Sequence, residues 1–246
     1  MKQRGAGIVN ILVIEDDQHY RTYLCRALSR DGYNVKDTAT GRDGVAVGSR
    51  FRPRVLVVNW MLGDDLNGLH VASVLQAVDG DLQTILITGF SLSDVADVVS
   101  KPPVFRIIEK PFELKELVDA VRQATLSQRP PGEGASIGLV EVDRKGRIVS
   151  ANSLARDSLG LTGAGRDDGS LSDFFSPDPV PDLDAAVKRW VTVSPNAKRG
   201  IRWQIRTQAP ARPGLSRLVV IGLPDEMACD TLQLVETLLE SGRPSP

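Results

Sequence analysis

The sequence predicts an α/β fold with a parallel sheet in the first half of the chain and an α+β fold with an antiparallel sheet in the second half. In the first half, short apolar runs alternate with amphipathic stretches five times. Parallel strands need crossover connections, so this alternation predicts a doubly wound sheet with helices on both faces. In the second half, strands come in neighbouring pairs with helical segments between them, which is typical of an antiparallel sheet.

The elements of the first half follow from their periodicity. The strand in "IVNILVI" precedes a stretch in which Tyr20, Leu24, Ala27 and Leu28 recur at helical spacing before a glycine. The same order returns in "YNVKDTA" with "RDGVAVGSRF", "RVLVVNW" with "GLHVASVLQAV", "QTILIT" with "SDVADVVS", and "VFRIIE" with "ELKELVDAVRQATL". The third and fourth strands are apolar without alternation, as expected of strands covered on both faces.

A proline- and glycine-rich stretch at residues 128–135 predicts a linker between domains at 1–127 and 136–224. Beyond it, "IGLVEVDRKGRIVSAN" predicts a hairpin and "SLARDSLGL" a short helix. A helix over "DLDAAVKRWVTV" is predicted because Leu183, Ala186, Val187 and Trp190 recur at helical spacing. "GIRWQIRTQ" and "SRLVVIGLP" predict two further strands.

The tail, residues 225–246, predicts an amphipathic helix with Leu232, Val235, Leu238 and Leu239 on one side. It is short for a stand-alone coiled coil, so we expect it to pack on the sheet of the second half or to pair with the same helix of a second chain.

Composition limits the classes of function. The hydrophobic fraction of 41% and charged fraction of 25% match a globular protein. The net charge of −1 gives no general attraction to nucleic acid or anionic membrane, and no basic stripe or helix-turn-helix pattern follows the first half. No apolar run approaches the roughly 20 residues that span a bilayer. From the charge and the apolar runs we expect neither a nucleic-acid nor a membrane partner. Cys25 and Cys229 lie far apart in the sequence and give no disulfide framework, so we expect a cytoplasmic protein.

Polar residues follow the strands of the first half at the edge where their carboxyl ends should meet. Glu15 and Asp16 follow the first strand, Asn59 ends the third, Thr88 the fourth and Lys110 the fifth. Carboxylates that bind a hard divalent cation, together with a hydroxyl and a lysine, suit a transferable phosphoryl group. The pocket lacks a nucleophile.

With "ILVIEDD", "LITG" and "EKPFELKELVDAV" in this order, the first half resembles the receiver domain of two-component response regulators, which has a flavodoxin-like fold. The resemblance implies that an aspartate at the end of strand three accepts phosphate from a histidine kinase in a phosphorelay. Asn59 stands at that position. The resemblance also implies the Met61 carbonyl as a metal ligand, and Ile107 at a switch position where the family commonly has Tyr or Phe.

The substitution at Asn59 has chemical consequences. An amide nitrogen shares its lone pair with the carbonyl and forms no acyl phosphate, unlike a carboxylate nucleophile. Asp64 and Asp65 lie past the strand and should not face Thr88 and Lys110 together. Losing one carboxylate leaves at most weak Mg²⁺ binding at Glu15, Asp16 and the Met61 carbonyl. The alternative is that Asn59 merely ends the strand and begins a turn.

Residues 136–224 resemble a PAS domain through "GLVEVDRKGRIVSANSLARDSLGL", in which a hairpin leads into a helix near Asn152. PAS domains bind ligands or dimerise. No histidine occurs beyond His70, which excludes histidine-ligated haem, and the flavin-reactive cysteine motif is absent. Four aromatic residues could line a ligand pocket or pack in the core: Phe174, Phe175, Trp190 and Trp203.

These patterns predict a pseudo-receiver, that is, an atypical response regulator without enzymatic activity. We expect it to act as an adaptor that contacts a histidine kinase or another signalling protein, and to form a homodimer through the PAS domain and tail helix or through the receiver face. The alternative is a PAS-based small-molecule or redox sensor whose ligand state controls the receiver-like half. A kinase fragment is excluded, since the tail has neither a phosphoacceptor histidine nor a glycine-rich ATP lid. No cofactor is predicted beyond weak Mg²⁺, and the PAS ligand is unspecified.

Overall fold

The computed structural model describes residues 8–63, 67–91, 104–127, 137–142, 147–161, 191–193, 201–208, 217–224, 234–235 and 237. The chain divides into two compact units. Residues 1–134 group with residues 230–241, and residues 135–229 group with residues 242–246. None of the helices within the described ranges is long and apolar enough to cross a membrane.

The first unit contains a five-stranded parallel sheet. Its strands are β1 (Asn10–Ile14), β2 (Asn34–Thr38), β3 (Val55–Asn59), β4 (Gln83–Thr88) and β5 (Arg106–Glu109). They lie in the order β2-β1-β3-β4-β5. Because the chain adds strands first on one side of β1 and then on the other, the switch point lies between β1 and β3. The predicted parallel α/β fold is confirmed.

Helices α1 (Gln18–Arg30), α2 (Gly41–Phe51), α3 (Gly68–Val78) and α4 (Leu114–Leu126) connect or follow these strands. Three of them begin at a polar residue whose side chain accepts a backbone N–H: Asp17 for α1, Thr40 for α2 and Asn67 for α3. The helix predicted in "SDVADVVS" lies outside the described residues. Leucines and alanines of α1 and α4 pack with Ile11, Val57 and Ile85 of the sheet in one buried core.

The second unit contains a five-stranded sheet in the order β7-β6-β10-β9-β8. Its elements are β6 (Gly138–Val142), β7 (Ile148–Ala151), α5 (Ser153–Leu159), β8 (Val191–Val193), β9 (Ile201–Gln208) and β10 (Arg217–Pro224). Every pairing within this sheet is antiparallel.

The predicted helix over "DLDAAVKRWVTV" is wrong at its carboxyl end. Val191–Val193 form β8 and pair with β9. Two β-branched valines around a threonine favour a strand, and an available edge of the sheet outweighs the helical spacing of the preceding residues. The rest of that predicted helix lies outside the described residues, as do Phe174, Phe175 and Trp190.

The described part of the tail groups with the first unit, which differs from the expectation that the tail packs on the sheet of the second half. Leu234, Val235 and Thr237 are helical, and Leu234 and Val235 are buried. Val235 lies on the predicted apolar side of the tail helix. Leu234 is buried although it lies off that side, and Leu232, Leu238 and Leu239 lie outside the described residues.

Candidate functional site

The polar residues predicted at the strand ends meet at the carboxyl edge of the parallel sheet. β3 lies between β1 and β4, so Asn59 is flanked by the loop after β1 and by the end of β4. The backbone N–H of Trp60 donates to Ile87 O at 2.7 Å, and that of Lys110 donates to Thr88 O at 2.7 Å. These bonds align the strand ends and hold the side chains that follow them close together.

The Asn59 side chain is the centre of this group. Its Nδ2 donates to Asp16 Oδ1 at 3.0 Å and to the Met61 carbonyl at 2.6 Å. Its Oδ1 accepts from Lys110 Nζ at 3.4 Å. An amide has two N–H donors and one carbonyl acceptor, so both hydrogens face acceptors and the oxygen faces a cation. The surrounding groups therefore fix the orientation of the amide.

Lys110 joins Asn59 to a buried carboxylate. Its Nζ lies 2.8 Å from Glu15 Oε2, where the glutamate side chain is 3% exposed and the lysine side chain 27% exposed. Burial raises the pKa of Glu15 above its usual range, and the hydrogen bond and charge of Lys110 oppose that rise. Lys110 Nζ also lies 4.5 Å from the centre of the Tyr20 ring. The ammonium is therefore held between a carboxylate and an aromatic face.

Thr88 and Ile107 lie on the neighbouring strands. Thr88 is fully buried, and its Oγ1 accepts the Phe90 backbone N–H at 3.0 Å. Ile107, at the predicted switch position, is half-buried and is in register with Leu86 of β4. The structure thus places the hydroxyl at the turn after β4 and the isoleucine within β5.

Sequence analysis missed the role of two residues at the site: Arg21 supports the acidic loop, and Tyr20 lies against the Lys110 ammonium. Arg21 Nη1 donates to the carbonyls of Glu15 at 2.6 Å and Asp16 at 3.3 Å, and Arg21 Nε pairs with Asp37 at 3.0 Å. Tyr20 packs edge-on against Phe112, with ring centres 5.9 Å apart. Only their position in the sequence could have indicated these roles. Both residues lie in the first turn of α1, which directly follows the acidic loop.

Gly68 also supports the site. A Cβ atom at this position would lie 2.3 Å from the Asn59 carbonyl oxygen and 2.9 Å from Val58 Cγ2. The first turn of α3 therefore lies directly against the end of β3, which only a residue without a side chain permits. Met61 forms a bridge with Asn67, which closes the connection between them. Asp64 and Asp65 lie outside the described residues.

The groups predicted to bind Mg²⁺ already have other partners. Glu15 pairs with Lys110, while Asp16 Oδ1 and the Met61 carbonyl both accept from Asn59 Nδ2. Across the described ranges, no three His, Cys, Asp or Glu residues cluster in a way that would hold a metal ion. Two of the three predicted oxygen ligands, on Asp16 and Met61, accept hydrogen bonds from the Asn59 amide. The amide hydrogens therefore occupy the space that a bound cation would need. This arrangement does not fit a Mg²⁺ site.

The sequence profile of the family described as "Response regulator receiver domain" matches residues 11–122. Residues 11–122 form a response regulator receiver domain. The matched range contains the whole parallel sheet from Ile11 onward and every residue of the site at its carboxyl edge. The domain therefore belongs to two-component signalling.

Curated relatives match this same half of the chain. The response regulator MprA of Mycolicibacterium vanbaalenii is 34% identical over 52% of this chain and 54% of its own length. The receiver protein CpdR of Brucella abortus is 26% identical over 48% of this chain and 97% of its own length. CpdR shows that a receiver domain of this size occurs as nearly a whole protein.

A third relative bears on the choice of partner. The DNA-binding transcriptional regulator NtrC of Azospirillum brasilense is 32% identical over 49% of this chain, which spans only 25% of that protein. The chain thus covers a quarter of NtrC and about half of MprA. The name of this relative conflicts with the expectation that nucleic acid is excluded as a partner, and that expectation is therefore not supported.

Proposed function

We propose that this receiver domain is not phosphorylated at Asn59 and acts as a non-catalytic adaptor, through contacts with a histidine kinase or another signalling protein. One observation carries the proposal. Asn59 occupies the end of β3 at the switch point, with its amide bonded to Asp16, Met61 and Lys110.

Two features of this geometry support the absence of phosphorylation. The side-chain nitrogen that replaces a carboxylate oxygen has its lone pair delocalised and both hydrogens engaged, so it cannot attack phosphorus. The side-chain oxygen of the amide is neutral and faces Lys110 Nζ at 3.4 Å. Neither atom offers the negative charge from which an acyl phosphate forms.

The same geometry supports a single, permanent state of the domain. Asp16 and the Met61 carbonyl receive from the Asn59 amide the hydrogen bonds that would otherwise require a cation. Glu15 receives its compensating charge from Lys110. Each acidic or carbonyl group is satisfied by the chain itself, so the domain needs neither Mg²⁺ nor phosphate to complete the site. A partner would therefore recognise an acidic site whose arrangement does not change with phosphorylation.

The proposal is tested by treatment with acetyl phosphate and Mg²⁺, followed by intact mass and Phos-tag electrophoresis. The native protein should stay unmodified, and Asn59→Asp should gain one labile phosphoryl group. Asn67→Asp is the matched control, because it makes the same change in charge at the N-terminus of α3, where aspartate also caps helices well. Labelling of the native protein would identify another acid as the acceptor and overturn the proposal. The control should stay unmodified, which would show that a new carboxylate is phosphorylated only at position 59.

For the second half, we propose a PAS-like domain that contributes to a homodimer. The antiparallel sheet and the passage from a hairpin into α5 support this assignment. Asn152 ties the two together: its Oδ1 accepts from Leu139 N and Ala155 N, both at 3.0 Å, and its Nδ2 donates to Ile137 O at 2.8 Å.

Light scattering of the full chain at tens of micromolar tests the dimer, and a monomer mass would contradict it. A copurified chromophore or a ligand-dependent rise in melting temperature would instead favour the alternative of a PAS-based small-molecule or redox sensor.

A further inference from the structure

Helix α3 is buried in an unusual way for a helix that lies on a sheet. Among the four helices described in the first unit, α1, α2 and α4 each keep exposed residues on the side away from the sheet. In α3 no residue is exposed, and nine of its residues are buried. A helix without an exposed face is covered on more than one side.

The side of α3 that faces the sheet can be identified from its contacts. Gly68 lies against the Asn59 carbonyl, and a Cβ on Gly48 of α2 would meet Leu75. Gln76 Nε2 donates to Thr84 Oγ1 of β4 at 3.0 Å.

The opposite side, half a turn away, consists of residues at helical spacing: His70, Ser73, Val74 and Ala77. We call these four residues the outer stripe. Within it, Ser73 is 0%, Val74 1% and Ala77 6% exposed. These values require atoms on the side of α3 away from the sheet.

We propose that the outer stripe of α3 is a docking surface and that its occupant is the C-terminal segment of the same chain, defined by Leu234, Val235 and Thr237. This segment groups with the first unit although about 100 residues of the second unit precede it. Leu234 is 0% exposed and Val235 1% exposed, so both side chains are covered within the fold. An uncharged stripe and two buried aliphatic side chains are complementary.

The contact is independent of phosphorylation and of the chemistry at Asn59. It places the C-terminal segment on the helix whose first turn lies against the end of β3. Release of the segment would expose the outer stripe, an uncharged helix face of two polar and two aliphatic residues. The segment therefore blocks the outer stripe. A competing amphipathic helix could bind the outer stripe only after the segment has dissociated from it.

Hydrogen exchange measured by mass spectrometry on the full chain tests this contact. With Leu234→Asp, peptides covering α3 and residues 234–237 should exchange roughly ten- to a hundredfold faster, the change expected when the burial of one leucine is lost. Peptides covering α1 should be unchanged. Leu126→Asp is the matched control, because Leu126 is 80% exposed in the same unit and should leave α3 unaffected.

The reciprocal variant Ala77→Arg keeps the test decisive if Leu234→Asp unfolds the unit. Arginine on the outer stripe should release the segment, so that peptides covering residues 234–237 exchange faster while α1 stays protected. If Leu234→Asp leaves α3 protected in a folded unit, or if Ala77→Arg leaves residues 234–237 protected, the segment does not lie on the outer stripe and the proposal is overturned.

Discussion

Replacing Lys110 by methionine tests the ion pair that fixes the acidic site. Methionine keeps much of the apolar stem but removes the ammonium group, which lies 2.8 Å from Glu15 Oε2. At an effective dielectric constant of 20, that separation corresponds to about 6 kcal/mol of gross attraction. The cost of removing both charges from water offsets much of it. Removing one partner of a fully buried ion pair costs about 3–5 kcal/mol. Lys110 is 27% exposed, so water screens part of the charge, and we expect Lys110→Met to lower the free energy of unfolding by about 2–4 kcal/mol at neutral pH.

The loss should depend on pH in a defined direction. Burial raises the pKa of Glu15 above 4.5, and Lys110 opposes that rise, so the pKa should rise further without the lysine. When the pKa of a carboxyl is higher in the folded than in the unfolded protein, the carboxyl adds to the free energy of unfolding at pH values below its unfolded pKa. That contribution is lost as the pH rises through its folded pKa. The deficit of Lys110→Met should therefore be largest at neutral pH and shrink as the pH falls towards 4.5.

Urea unfolding followed by circular dichroism at neutral and mildly acidic pH measures both effects. Glu15→Gln removes the charge that needs a partner, so Lys110→Met should cost less in that background than in the native protein. Lys115→Met, at an exposed position of α4, is the matched control and should change stability by less than about 0.5 kcal/mol. An equal loss in both backgrounds, or a deficit that grows on acidification, would refute the reasoning.

Three further outcomes are expected. Gly68→Ala should lower the free energy of unfolding by about 1–3 kcal/mol or more in urea titrations, because its Cβ would lie 2.3 Å from the Asn59 carbonyl. Gly80→Ala, where a Cβ meets nothing within 4 Å, should be tolerated. Asn59→Asp places a carboxylate beside Asp16, so Mg²⁺ should raise the melting temperature of this variant by several degrees. The melting temperature of the native protein should not change with Mg²⁺, and a Mg²⁺-dependent shift there would contradict the prediction. Burial raises the pKa of Cys25 to about 11, so iodoacetamide should alkylate it at pH 8 roughly a hundredfold more slowly than an unperturbed thiol, as peptide mass analysis would show.

The positions of the site residues could be predicted from the sequence because they follow from periodicity. An apolar run such as Val55–Val58 predicts a buried strand, and parallel strands bring their carboxyl ends to one edge. Asn59, Thr88 and Lys110 therefore meet where the pattern indicates. Whether Lys110 pairs with Glu15 or with Asp16 could not be predicted, because the two acids are adjacent in the sequence and the choice depends on the path of the loop after β1.

The supporting residues could not be predicted for a different reason. Arg21 looks like any charged residue on the exposed side of a helix, and only the path of the loop after β1 brings it to the carbonyls of Glu15 and Asp16. The covered face of α3 and the place of Leu234 depend on contacts between distant parts of the chain, which helical periodicity does not record. The short strand β8 was likewise set by a neighbouring edge.

Three consecutive acids, Glu15, Asp16 and Asp17, have three separate tasks. Glu15 faces inward to the ammonium group, and Asp16 accepts from the Asn59 amide. Asp17 caps α1 by accepting the Tyr20 N–H at 2.8 Å, a bond that lowers the pKa of its carboxyl. A chain that drifts at one of these positions would thus lose an inward charge, a surface contact or the start of a helix. The three neighbouring acids therefore have different partners, and a substitution at one of them removes one contact while the other two contacts remain.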